Sequence, residues 1–368
     1  MNKSFSIYLD LVRFVAACLV YLYHSNQRWL VTEKLPASHF GHSSVVVFFV
    51  LSGYVIAYVT HEKERHWIDY VASRTSRLYS VALPAVFLTL LLDFVGRRLD
   101  PSIYAYPFDQ FVLRSVASLA LMNEWWFVSI TSFSNVPYWS ICYEGWYYVA
   151  FGAVMFLPRR SGLVVVAMLA LFLGPKIVLL APIWWAGVLL YRWKALATIS
   201  TATAWVLVVL SCIGIVAFHV LDVETLSGAL VESWFGATAR KELTFSQSFP
   251  SDYLLGALVF MNFAGMRVVA PTLGRTLLVC ERPIKFAASF TLTLYLLHQP
   301  LLLFWAAMVR GNPAGIGTWA LVTALTASSV VLIGYFTENR RHGLKRDVVQ
   351  RLRRLQVALE ERRYGVRS

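Results

Sequence analysis

Leu9–Ser25 reads LDLVRFVAACLVYLYHS. The run is apolar enough to cross a bilayer, yet it carries three side chains that a bilayer normally rejects: Asp10, Arg13 and His24. At about 100° and 1.5 Å per residue, His24 lies eleven steps beyond Arg13, so the two project from nearly the same helix face about 16 Å apart. They cannot touch, but they can line one path. Exposing such groups to lipid costs several kcal/mol, so they usually face a bundle interior or a wet cavity and mark a functional route. The competing reading is that Asp10 and Arg13, three residues apart, neutralise each other near a helix end while His24 sits among the headgroups.

The rest of the chain agrees with a membrane-spanning first segment. Of its 368 residues, 58% are hydrophobic and only 14% charged, and the mean hydropathy is +0.60. A soluble chain would carry about a quarter charged residues. The net charge of +13 does not point to nucleic acid, because Lys and Arg collect in short loops and at the C-terminus, as the positive-inside rule requires. Cys18, Cys142, Cys212 and Cys280 are scattered, which suggests neither a disulfide framework nor a metal site. With one lysine ahead of a charge-interrupted apolar run, the N-terminus reads as a retained span rather than a signal peptide.

Further candidate spans fall at 43–60, 81–95, 111–122, 143–157, 163–174, 177–191, 200–221, 253–269, 286–308 and 317–337. Basic residues in 61–80 (Lys63, Arg65, Arg74, Arg77), in 192–199 and in 270–285, with ten Lys or Arg after Glu338, mark the cytoplasmic side, whereas 222–252 is net acidic and fits the outside. Parity between 61–80 and Arg159–Arg160 demands an even number of crossings, so 111–122, the shortest segment and the bearer of Arg114, is expected to enter without crossing. The expected fold is an all-α polytopic integral membrane protein of about ten transmembrane helices with both termini cytoplasmic. Residues 1–337 form the transmembrane domain and 338–368 a basic tail. Leu344, Val348, Leu352, Leu355 and Leu359 recur there at helical spacing, the pattern of an amphipathic helix on an anionic leaflet or of a solvated basic anchor.

Five stretches in order, LDLVRFVAACLVYLYH (9–24), VVFFVLSGYVIAY (46–58), RTSRLYSVALPA (74–85), VPYWSICYEGWYYV (136–149) and LTLYLLHQPLLL (292–303), resemble the membrane-bound acyltransferase 3 family. Its members transfer acyl groups, most often acetyl, onto hydroxyls of surface glycans, lipids or small molecules. The resemblance implies an acyltransferase of groups other than aminoacyl groups, set in a bacterial inner membrane, with acetyl-CoA or another acyl-CoA as donor and no metal. It carries the family's arginine and histidine onto Arg13 and His24, its cytoplasmic arginine pair onto Arg74 and Arg77, and its tryptophan-serine plus glutamate motif onto Trp139, Ser140 and Glu144.

The chemistry of these residues can be argued separately. Acyl-CoA is cytosolic and phosphate-rich, and Arg74 and Arg77, with Lys63 and Arg65, supply a basic landing site suited to bidentate phosphate contacts, although topology alone would make this loop basic. The unperturbed pKa of an imidazole lies near neutrality, which makes His24 the best candidate base for an acceptor hydroxyl, or a transient acyl carrier. Glu144, expected at the level of His24, would orient the imidazole, bind an acceptor hydroxyl, or simply sit at a positive helix N-terminus. His298 would either satisfy the carbonyl freed by Pro300 or contact substrate. Asp10 and Trp139 are further substrate-contact candidates. Trp125, Trp126, Trp139, Trp146, Tyr147 and Tyr148 read as an interfacial belt or a sugar-stacking surface. Ser52, beside Gly53, reads as close helix packing rather than as a nucleophile. The partners are then acyl-CoA, a glycan, glycolipid or small-molecule hydroxyl, and membrane lipids, with no nucleic acid. The rival reading is a transporter or flippase using the intramembrane charges, disfavoured by the lack of repeat symmetry.

Overall fold

The computed structural model describes residues 1–309 and 314–364, except for the side chains of 339, 360 and 362–364. Its helices are α1 (Lys3–Ser25), α2 (Gly41–Lys63), α3 (Trp67–Leu99), α4 (Phe111–Leu119), α5 (Trp139–Phe156), α6 (Arg159–Leu173), α7 (Pro175–Arg192), α8 (Thr201–Val220), α9 (Val223–Phe235), α10 (Ala237–Glu242), α11 (Phe249–Val269), α12 (Gly274–Val279), α13 (Glu281–Ser289), α14 (Thr291–Met308) and α15 (Ile316–Tyr364). A two-stranded antiparallel ribbon, β1 (Glu124–Trp125) and β2 (Val128–Ser129), interrupts them between α4 and α5. Local signals start several helices where expected. Asn2 caps α1 by accepting from the Ser4 backbone N–H at 2.8 Å, Ser200 caps α8 through the Thr203 N–H at 3.1 Å, and Pro175 takes the first turn of α7 after Gly174, whose φ is 84°.

Among the described residues, seven helices are long and apolar enough to cross a membrane: α1, α2, α3, α8, α11, α14 and α15. Helices α5, α6 and α7 fall on three more expected segments but have 18, 15 and 18 residues. With nine residues, α4 is about 13 Å long, well short of a hydrocarbon core of about 30 Å. Apolar side chains that the fold leaves exposed, such as Leu163, Val164, Met168 and Leu171 on α6 and Val206, Leu210, Ile213 and Val220 on α8, provide lipid-facing surface.

One expectation changes. Helix α3 begins at Trp67, fourteen residues before the expected span, so Arg74 and Arg77 lie on a 33-residue helix rather than in a loop. Across the expected boundary at 337/338, α15 continues for 49 residues from span into tail, and 365–368 lie outside the described residues.

One group of helices packs α2 on α7 and α11 on α7 and α8, and another packs α3, α14 and α15 on one another. Helix α1 touches both, through α2 and α14, which puts its polar face at the seam. The α2–α7 contact is backbone on backbone: a Cβ on Gly53 would lie 2.0 Å from the Trp184 carbonyl oxygen, and one on Gly187 equally close to that of Val50. Gly53→Val is therefore expected to force the helices apart, at a cost of at least about 1–3 kcal/mol, and to collapse the monodisperse peak of detergent-extracted protein in size-exclusion chromatography. A wild-type peak would show that α2 and α7 tolerate separation.

Candidate active site

Helix α1 carries polar side chains to two opposite ends of the bundle. At the end of Arg13, a polar cavity of about 380 Å³ is lined by Asp10, Arg13, Arg77, Lys285, Glu338, Arg341 and His342, among others. Asp10 and Arg13 pair at 3.3 Å. Lys285 donates to Glu281 at 2.6 Å, and this hydrogen bond raises the pKa of the ammonium group and keeps it charged. Four cationic side chains face two carboxylates here, so the cavity favours anions.

A narrower cavity of about 70 Å³ continues from it, the two sharing Arg13, Arg77, Thr291 and Leu292. Glu144 lines this passage and accepts from Ser52 Oγ and, at 2.5 Å, from Tyr148 Oη. Trp184 Nε1 donates to the same serine at 3.2 Å. Ser140 Oγ and Tyr295 Oη, 2.6 Å apart, also line it.

At the other end, His24 opens into a cavity of about 480 Å³ whose walls are rich in amide and hydroxyl groups: Asn26, Gln27, Ser38, Tyr106 and Gln299, with Lys34 and His39. Neither ring nitrogen of His24 has a hydrogen-bond partner among the described residues. Between the two ends stand Tyr295 and His298 on α14. Their ring centroids are 6.3 Å apart, and His298 lies 5.2 Å from His24. A basic cavity, a small, largely apolar cavity with Glu144 in its wall, and an open imidazole thus follow one another along a single seam.

A family model described as an acyltransferase domain, acyltransferase 3, matches residues 6–338. The chain belongs to the acyltransferase 3 family. No curated protein and no solved structure matches it. With seven membrane-length helices, this is a multi-pass integral membrane acyltransferase.

Within this acyltransferase, Arg13, Arg77 and Asp10 converge at one end and His24 and His298 meet nearer the other, but five residues sit elsewhere than expected. Glu144 does not reach His24. Val136 lines the His24 cavity, and eight further residues carry Glu144 about 12 Å along the chain direction to the arginines. Arg74 leaves the basic cavity altogether: its guanidinium is buried 2.5 Å from Glu64, lies 5.2 Å from the Tyr70 ring and faces a separate apolar groove between α3 and α5. Trp139 is buried and stacks on Phe245 with centroids 4.3 Å apart and planes 2° from parallel, so no sugar can use that face. Tyr147 and Tyr148 are likewise in the core, and only Trp125 and Trp126 of the expected belt are well exposed.

The carbonyl freed by Pro300 is that of Leu296, and it accepts from Asn135 Nδ2 at 2.6 Å instead of from His298. His298 Nδ1 bonds the Leu294 and Tyr295 carbonyls at 3.0 and 2.8 Å. Sequence reasoning missed Tyr295 as a site residue and read Tyr148 only as part of a belt or sugar-stacking surface. Both were signalled by helical spacing, four residues after Glu144 and three before His298. Lys285 and Arg341 carried no such signal.

Proposed function

We propose that this acyltransferase moves an acetyl or other short acyl group from cytosolic acyl-CoA to a hydroxyl of a cell-surface glycan or glycolipid, in a bacterial inner membrane crossed about ten times with both termini inside. The observation that carries the reading is the succession of basic cavity, narrow passage and open histidine along α1 and α14. The three shorter helices α5, α6 and α7, added to the seven longer ones, supply ten crossings.

Phosphates of the donor pair with Arg77, Lys285 and Arg341, while the pantetheine arm follows the passage past Arg13 and Glu144. The amide-rich cavity offers a sugar donors and acceptors in both senses. His24 takes the proton of the acceptor hydroxyl as its oxygen bonds to the acyl carbon and the carbon–sulfur bond breaks. Carriage of the acyl group on the imidazole itself is the two-step version of the same transfer.

The two arginines now separate by experiment. Losing a charged hydrogen bond of about 1.5–3 kcal/mol, Arg77→Ala is expected to raise the KM for acetyl-CoA about 10- to 100-fold. Arg74→Ala leaves Glu64 buried without its cation and should lower the melting temperature while leaving KM near wild type. Radiolabelled acetyl transfer into host glycan and lipid fractions checks both. Equal KM values for wild type and Arg77→Ala would remove Arg77 from the donor site.

A further inference from the structure

We infer that His298 is the proton partner of His24, receiving a proton from it and returning it to the departing CoA thiolate. The inference rests on the acyl-transfer reading and adds a residue to it. Helix carbonyls can only accept, so the Nδ1 that meets the Leu294 and Tyr295 carbonyls carries the hydrogen. Nε2 is then a lone pair, and it is buried without a partner among the described residues. A buried ring nitrogen left unsatisfied is costly, and the cost needs a reason.

The neighbouring imidazole supplies it. With ring centroids 5.2 Å apart, the two imidazoles are direct neighbours, and rotation of the His24 ring about its side-chain bonds brings one of its nitrogens toward Nε2. Location matters as much as distance. The proton leaves the acceptor oxygen on the cavity side of His24, and it is needed on the sulfur, which is bonded to the same acyl carbon but reaches it from the Arg13 side. His298 stands between His24 and Tyr295, which lines the passage to the Arg13 end.

In the forward step the acceptor oxygen bonds the acyl carbon, its proton goes to the His24 nitrogen facing the outer cavity, and the carbon–sulfur bond breaks. The proton on the other nitrogen of His24 passes to His298 Nε2 and from there to the thiolate. One O–H and one C–S bond become one C–O and one S–H bond, and both rings end neutral. His24, open to solvent, exchanges back to its starting tautomer.

The test is a single-turnover proton inventory in H2O/D2O mixtures. It uses purified protein in nanodiscs, radiolabelled acetyl-CoA and host glycolipid extract as acceptor, with wild type, His298→Asn and His298→Gln. Asparagine keeps a side-chain N–H for the helix carbonyls but offers no basic nitrogen. Wild type is expected to give a bowed inventory, the sign of two protons in flight, and His298→Asn a linear one with a rate about 10- to 100-fold lower; glutamine should not restore the bow. A linear wild-type inventory, a bowed inventory in His298→Asn, or an undiminished His298→Asn rate overturns the inference. Absence of transfer by wild type would instead overturn the acyl-transfer reading itself.

Discussion

His24→Ala is expected to lower acetyl transfer about 10²- to 10⁴-fold, the usual contribution of a positioned general base. The expectation rests on a side chain that opens into the outer cavity and makes no hydrogen bond to another described residue, so little holds it there except its chemistry. For the same reason the variant should fold. Its melting temperature and its thermal stabilisation by CoA should match wild type, because the basic cavity about 16 Å away along α1 is untouched. Transfer of radiolabelled acetyl at matched expression is the measurement. Equal labelling would take His24 out of the reaction, whereas loss of label together with loss of CoA stabilisation would mean that the substitution damages the bundle rather than the base.

Lys176→Met is expected to cost about 3–5 kcal/mol of stability, the usual penalty for stranding one member of a buried ion pair. Lys176 is 0% and Glu124 2% exposed. The ammonium group donates to Glu124 Oε2 at 2.7 Å, Ser129 Oγ at 2.6 Å and the Val128 carbonyl at 3.1 Å, pinning the β1–β2 ribbon to the start of α7. Thr244 donates to the same carboxylate at 3.2 Å and ties in the segment after α10.

Burial already raises the pKa of Glu124 against the opposing pull of Lys176, and removing the lysine raises it further. A carboxyl whose folded pKa lies above its unfolded value penalises folding above that folded pKa and is relieved as pH falls through it. The deficit of Lys176→Met should therefore shrink on acidification, and Glu124→Gln added to it should recover part of the loss at neutral pH. Thermal unfolding in detergent at two pH values measures this. A deficit independent of pH would show that the loss comes from packing and not from the stranded charge.

Helices α1, α2, α8, α11 and α14 were legible because a membrane span is a local property: about twenty apolar residues bind their own backbone groups whatever surrounds them. The common face of Arg13 and His24 follows from helical spacing alone. Partners are another matter. Arg74 looked like the twin of Arg77, but a rotation of about 60° between residues three apart on α3 sends one to Glu64 and the other to Arg13.

Trp139 was a candidate substrate contact through the family's tryptophan-serine motif; Phe245, more than a hundred residues away, covers its ring. The carbonyl freed by Pro300 could be foreseen, but not that Asn135 would satisfy it. Sequence by itself determined the spans, their polar faces and the family's residue types, all of which depend on neighbours within a few turns. Only the tertiary structure decided which buried charge meets which, that Glu144 serves the arginines and that His298 stands beside His24, because those pairings depend on how helices distant in sequence pack, and no local pattern encodes that distance.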